Sequence, residues 1–379
     1  QLGSDIDGEA AEDESGRSVS LNYTGDRVAI GAPYNDGAGT DAGNVRVYEY
    51  SNSSWTQMGS DIDGEAAEDE SGKSVSLNST GDRVAIGAPF NDGTGNRAGH
   101  VRVYEYSDSS WVQVGSDIEG EATSDFSGWS VSINSVGDRV AIGSVRNDGT
   151  GSDAGHVRVY EYSNSSWTQV GSDIDGEAAG DESGNSVSIN SDGNRVAIGA
   201  SGNDGTGADA GHVRIYEHSS GSWTQVGSDI DAEAAGDYSG YSVSVNSAGD
   251  RVAIGAHVND GTGTDAGHVR VYSLTTPVQT TTTTYVPDDN FEQRLIDLGY
   301  DDVLDDYVVT DSISGVTTLN VSNDSISDLT GIEGITAWTN LHCGYNQLPC
   351  LDVSSNTSLT NLNCLGNVLT ALDVSSNTA

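Results

Sequence analysis

Carboxylates on glycine-rich loops are the side chains of this sequence best suited to chemistry. An Asn-Asp-Gly segment recurs five times. With the acidic position that follows, it supplies Asp36 and Asp41, Asp92, Asp148 and Asp153, Asp204 and Asp209, and Asp260 and Asp265. A second acidic loop contributes Asp13, Asp69, Asp125, Asp181 and Asp237 at the same step. Oxygen-only donors on flexible loops are what calcium takes, about six to eight at a time, so calcium is the expected cofactor. The same carboxylates could instead cap turns and pair with arginines that repeat at the same step. Arg97 replaces the second aspartate of its loop, which makes that copy the poorest candidate.

The remaining residues point away from catalysis. The chain has no serine nucleophile elbow, no His/Cys zinc spacing and no phosphate-binding glycine loop. Equivalent carboxylates in five places do not form the one asymmetric constellation an active site needs, and the chain is expected not to be an enzyme. His100, His156, His212 and His268 repeat, with Asn44 in the first copy, and are expected to be satisfied structural residues. Phe126, Trp129, Arg146, Tyr238, Tyr241 and His257 break the repetition. Tyr34, Phe90, Arg146 and His257 stand at loop tips and are the candidate ligand-contacting residues. Aromatics there either stack on sugar rings or fill gaps between repeats.

The elements that must position these loops follow a fixed period. Trp55, Trp111, Trp167 and Trp223 are each 56 residues apart, without insertion or deletion. One unit contains four short runs rich in Val, Ile, Tyr and Trp: 74–77, 83–88, 100–106 and 111–118. Four antiparallel strands repeated in this way describe a β-propeller blade. There are five copies of the first three strands. The fourth strand also has five copies if residues 1–7 are counted, which predicts that the N-terminal strand completes the last blade and closes the ring. In propeller topology both acidic loops emerge on one side, which is then strongly negative.

The unit resembles the FG-GAP repeat of integrin-α-type propellers. Gly72-Lys73-Ser74-Val75, Val84-Ala85-Ile86-Gly87-Ala88-Pro89 and Gly99-His100-Val101-Arg102-Val103-Tyr104 stand for its three strand motifs, over residues 1–273. Ser71-Gly72 lacks the family's aromatic, and the short turn 78–82 replaces its calcium loop. The resemblance implies an extracellular adhesion or ligand-binding propeller, usually without catalysis.

Residues 274–286 read as a Thr-rich linker. Residues 287–299 read as a helix capped by Asp288 or Asp289, with Phe291, Leu295 and Leu298 on one face. A second repeat follows: Leu341-His342-Cys343-x-x-Asn346-x-Leu348 recurs 21 residues on, at Leu362 to Leu369. It resembles the leucine-rich repeats of bacterial surface proteins of the internalin type, and the helix resembles their N-terminal cap. The expected fold is therefore mainly β: a five-bladed propeller over 1–273, the linker, and a short leucine-rich-repeat solenoid over 287–379. Cys343 and Cys364 hold the same inward slot and read as small buried hydrophobes, with a disulfide or metal site the other reading.

Fifteen basic against 58 acidic residues give a net charge of −43. This argues against nucleic acid and anionic membrane surfaces as partners. The chain reads as an internal segment of a longer, secreted or surface-anchored protein. Its expected function is non-enzymatic adhesion to a protein or glycan on a cell or extracellular surface. The alternative is a glycan-binding module that targets a larger secreted enzyme.

Overall fold

A computed structural model describes residues 1–274, 283–301, 303–335 and 337–378. The chain divides into two units, Gln1–Thr275 and Thr276–Ala379. Most of the expected Thr-rich linker lies outside the described residues. The part within them, Thr283–Tyr285, is a strand paired antiparallel with Tyr307–Val309.

The first unit is a five-bladed β-propeller. In the second blade Ser74–Leu77, Arg83–Ala88 and His100–Ser107 pair antiparallel in sequence order. The expected fourth strand is split in two. Ser110–Gln113 pairs with one end of the third strand and Ile118–Glu119 with the other. The break falls where Gly115 takes a φ of +76°, a conformation that ends a strand. The first, third and fourth blades repeat this plan, and the fifth has three strands, Ser242–Val245, Arg251–Ala256 and His268–Ser273.

Blades pack face to face, and the alternation of their strands dictates how. Val45, Val47 and Ile62 of the first blade close against Val75, Leu77, Val84 and Ile86 of the second, and equivalent clusters join each later pair. The sequence RVAIGA suits the crowded middle strand because a Cβ at Gly87 would collide with the Gly128 carbonyl of the next blade. The Ser74 hydroxyl bonds that same carbonyl at 2.8 Å. Across each second-to-third strand pair, Arg27, Arg83, Arg139 and Arg195 bond Glu49, Glu105, Glu161 and Glu217.

Closure through residues 1–7 is corrected by the structure. Trp55 Nε1 donates to Leu2 O at 2.9 Å and Arg46 donates to Asp7 O, as Trp111 does to Met58 O and Arg102 to Asp63 O. Residues 1–7 thus enter the first blade as an inter-blade connection does. Val19 and Leu21 of the first blade are 64% and 61% exposed, and Val269 and Val271 of the fifth 68% and 69%.

In the second unit, helix Asp289–Asp297 is capped by Asp288, whose side chain accepts from Asn290 N and Phe291 N. It buries Phe291 and Leu295 against Leu319, Leu341 and Trp338. Thr318–Asn320, Asn340–His342 and Asn361–Asn363 form a parallel three-stranded sheet. Asn346 Nδ2 donates to the carbonyls of Val321 and Cys343, and Asn367 Nδ2 to those of Cys343 and Cys364. Each asparagine therefore satisfies backbone acceptors of two successive turns of chain.

Candidate functional site

The two expected loops of each blade meet on one side of the propeller. Asn91 Nδ2, from the Asn-Asp-Gly loop, donates to Asp69 Oδ2 of the other acidic loop at 3.0 Å. On this side the repetition breaks at the first three blades. The Lys73 ammonium lies 5.6 Å from the Tyr34 ring, 5.7 Å from Phe90 and 5.4 Å from Trp129. These rings come from three successive blades, and Glu70 Oε2 fixes the ammonium at 2.8 Å. Phe90 meets Phe126 at 5.0 Å, and Phe126 stacks on Trp129 at 6.3 Å.

Two arginines cover this aromatic floor. Arg97 sits 5.4 Å over Phe90, and Arg146 sits 5.3 Å over Phe126. Together with Val145, Glu182 and Asn185 these residues line a cleft of about 340 Å³. Burial raises the Glu182 carboxyl above its ordinary range, and Arg146 partly offsets this. Backbone geometry helps to present the side chains: Arg97, Phe126 and Glu182 have φ of +54°, +57° and +54°. The same conformation recurs at the equivalent positions of the other blades, at Asp41, Asp153, Asp209 and Asp265 and at Glu14, Glu70 and Tyr238, so it is a turn of the repeat that carries different side chains here. The cleft combines flat apolar faces with cations, which is what stacks a ring and pairs with an anionic substituent.

Of the sequence-predicted contact residues, Tyr34, Phe90 and Arg146 are brought into this one neighbourhood. His257 is not; its ring packs at a tilt on Tyr241, 4.1 Å between centroids, in a separate cluster with Tyr238. Sequence reasoning passed over Lys73 and Arg97 as ligand-site residues. Their signal was available: Lys73 is the only lysine, and both lie outside the two slots where arginine repeats.

Ten of the fourteen expected calcium ligands accept hydrogen bonds from their own loops. Asp69 Oδ2 accepts from Ala66 N and Asn91 Nδ2, and Asp13, Asp125, Asp181 and Asp237 make the equivalent pair of bonds. Asp36, Asp92, Asp148, Asp204 and Asp260 each accept the backbone N–H five residues on. Among the described residues, four groups bring three ligand atoms within 4.8 Å of one another. They are Glu65–His100–Asp117, Glu121–His156–Asp173 and Glu177–His212–Asp229, with Asp289–Glu292–Asp306 in the second unit.

The expectation of satisfied histidines is corrected. His100, His156 and His212 are buried, and the Nε2 of each has no hydrogen-bond partner among the described residues. Burial, reinforced by Arg102 and Arg158, pulls the His100 and His156 imidazoles down to about 4. All three histidines are therefore neutral at neutral pH, His212 being shifted the same way.

Fold and site define a mainly β protein, a five-bladed propeller with an aromatic and cationic cleft on its loop side. No known family profile matches the chain. Over 73 residues the chain is 40% identical to Internalin J of Listeria monocytogenes serotype 4b (strain F2365); this spans 19% of the chain and 8% of Internalin J. The chain is also similar to a solved Pseudomonas aeruginosa periplasmic gluconolactonase (14% identity, TM-score 0.44, 62% of this chain and 64% of that one). A Bacteroides uniformis protein assigned as a 6-phosphogluconolactonase is similar at 8% identity and a TM-score of 0.41, over 68% of this chain and 80% of that one. The expectation that the chain is not an enzyme is corrected here, because propellers similar to it are described as lactonases.

Proposed function

We propose that this chain is an extracellular ligand-binding and adhesion protein, with the cleft between its second and third blades as the principal contact. The observation that carries this reading is the gathering of Phe90, Phe126 and Trp129 under Arg97 and Arg146 in an otherwise repeated scaffold. A constant array with different side chains at equivalent tips is how repeat proteins build one particular surface. The ligand class that fits is a glycan bearing carboxylate or sulfate groups: sugar faces stack on the rings, and the anions meet the guanidinium groups.

The second unit is read as a short leucine-rich-repeat solenoid with Asp289–Asp297 as its N-terminal capping helix. The asparagine bonds between successive turns and the partial identity to Internalin J support this reading. It adds a second binding surface to a protein placed at the cell exterior. The FG-GAP relationship of the blades rests on the three motifs of each unit.

A glycan array probed with the chain should select acidic over neutral glycans. Combined alanine replacement of Phe90, Trp129 and Arg146 should weaken the selected interaction by at least about tenfold, the scale of 1.4 kcal/mol. The melting curve should keep its shape. Undiminished binding by the folded triple variant would move the contact to the second unit.

A further inference from the structure

We propose that the propeller holds three first-row divalent transition-metal ions, zinc-like in preference, one in each Glu–His–Asp group at successive blade junctions. In the second blade a ligand atom from each of Glu65, His100 and Asp117 lies within 4.8 Å of the others, and the third and fourth blades repeat this with Glu121–His156–Asp173 and Glu177–His212–Asp229. The glutamate arrives from the connection before the blade, the histidine begins the third strand, and the aspartate lies in the break of the split fourth strand, just before its second half. Folding therefore assembles each group from segments that are far apart in sequence.

The histidine marks the group as more than an acidic cluster. His100 is 1% exposed, and neither ring nitrogen has a hydrogen-bond partner among the described residues. A buried imidazole without a partner costs free energy, and a cation at Nδ1 would remove the share of that cost that falls on this nitrogen. His100 Nδ1 is 3.8 Å from Glu65 Oε2, with 4.0 Å and 3.9 Å in the next two copies. That is too long for a hydrogen bond but leaves room for an ion between the two atoms. The surrounding bonds orient the carboxylates. Gln113 Nε2 donates to Asp117 Oδ1 at 2.6 Å, and Arg102 Nη1 stands 3.5 Å from the other Glu65 oxygen, Oε1. Such outer partners fix ligand geometry in metal sites.

One imidazole with two carboxylates is a nitrogen–oxygen set for zinc, manganese, cobalt or nickel rather than for calcium, which takes oxygen alone. The first blade provides an internal contrast: Asn44 replaces the histidine and bonds Glu9 Oε2 directly at 3.3 Å. The fifth blade lacks the split fourth strand, and so the aspartate. This limits the proposal to three ions.

The test is titration of the whole chain, stripped of metal, with Zn2+, Co2+ and Ca2+ separately, followed by calorimetry and, for Co2+, visible absorption. The expected result is three equivalent Zn2+ sites per chain, with Co2+ bands of nitrogen–oxygen coordination. The variant carrying His100→Asn, His156→Asn and His212→Asn should lose all three, and His156→Asn alone should lose one. Asparagine already occupies this slot in the first blade, so these variants should keep the native circular dichroism. A cation held by Asp289, Glu292 and Asp306 would survive in the triple variant and is counted separately. Absence of Zn2+ binding, full retention in the folded triple variant, or equal uptake of Ca2+ would each overturn the proposal.

Discussion

Single side chains in this protein are set by burial more than by charge. The Cys343 thiol, fully buried, is pushed up to about 12 by desolvation, whereas Cys350 is exposed. Iodoacetamide at pH 8 should therefore modify Cys350 in the folded chain and reach Cys343 only after unfolding, which peptide mass mapping reads directly. The buried histidines make a pH prediction for the metal-free chain. His156 is faced by Glu121, Arg158 and Asp173, and its imidazole titrates near 4 when folded but near 6.5 when unfolded. Between those values the unfolded chain binds the extra proton. Stability should be full above about pH 6.5 and fall as the pH drops toward 4. His156→Asn should make the urea midpoint fall less steeply between pH 7 and 5; an unchanged slope would assign the acid sensitivity to other groups.

At the scale of the element, the blade junction controls what the middle strand tolerates. Gly87→Ala drives a methyl into the Gly128 backbone of the next blade, while Gly255→Ala in the last blade meets only the Ser242 side chain. Overpacking of this kind costs about 1–3 kcal/mol. The first substitution should lower the denaturant midpoint accordingly, and the second should cost clearly less. The strands themselves were legible in the sequence because Trp holds one step through the first four blades and Gly through all five. The split of the fourth strand was not, since its apolar pattern runs through the break and only the conformation of Gly115 reveals it. In the cleft, Tyr34, Phe90 and Arg146 were legible as departures from repetition. The meeting of Glu65, His100 and Asp117 was not, because sequence shows that a histidine recurs but not that it is buried without a partner.

For the whole propeller, the exposed faces of the first and last blades separate strand from junction. Val103 and Val271 hold equivalent slots, yet they are 1% and 69% exposed. Val103→Lys should bury an unpaired cation and abolish cooperative folding, whereas Val271→Lys should shift stability by no more than about 0.5 kcal/mol. Thermal melts of both variants check this, and comparable losses would show that the fifth blade's face is covered in solution. Residues 1–7 misled the count of fourth strands for a physical reason: the same sequence serves as the end of one blade and the entrance to the next, and what decides is that His268–Ser273 pairs with Arg251–Ala256 and, among the described residues, with no second strand.

The serine-to-carbonyl bond that locks neighbouring blades is the same at every junction: Ser18 to Gly72, Ser74 to Gly128, Ser130 to Gly184 and Ser186 to Gly240. Because the locks are interchangeable, they carry no address. Outside the Lys73 cluster that joins the first three blades, a blade's surface does not distinguish its rightful neighbour from the blade one place further on, or from the matching blade of another molecule. There the correct order is held by the tether, through the high local concentration of the next blade along the chain. During synthesis, when blades emerge one at a time, that is enough. During refolding of many whole chains together, the tether must compete with every identical surface in solution, and mispaired, intertwined species become the characteristic failure of this architecture.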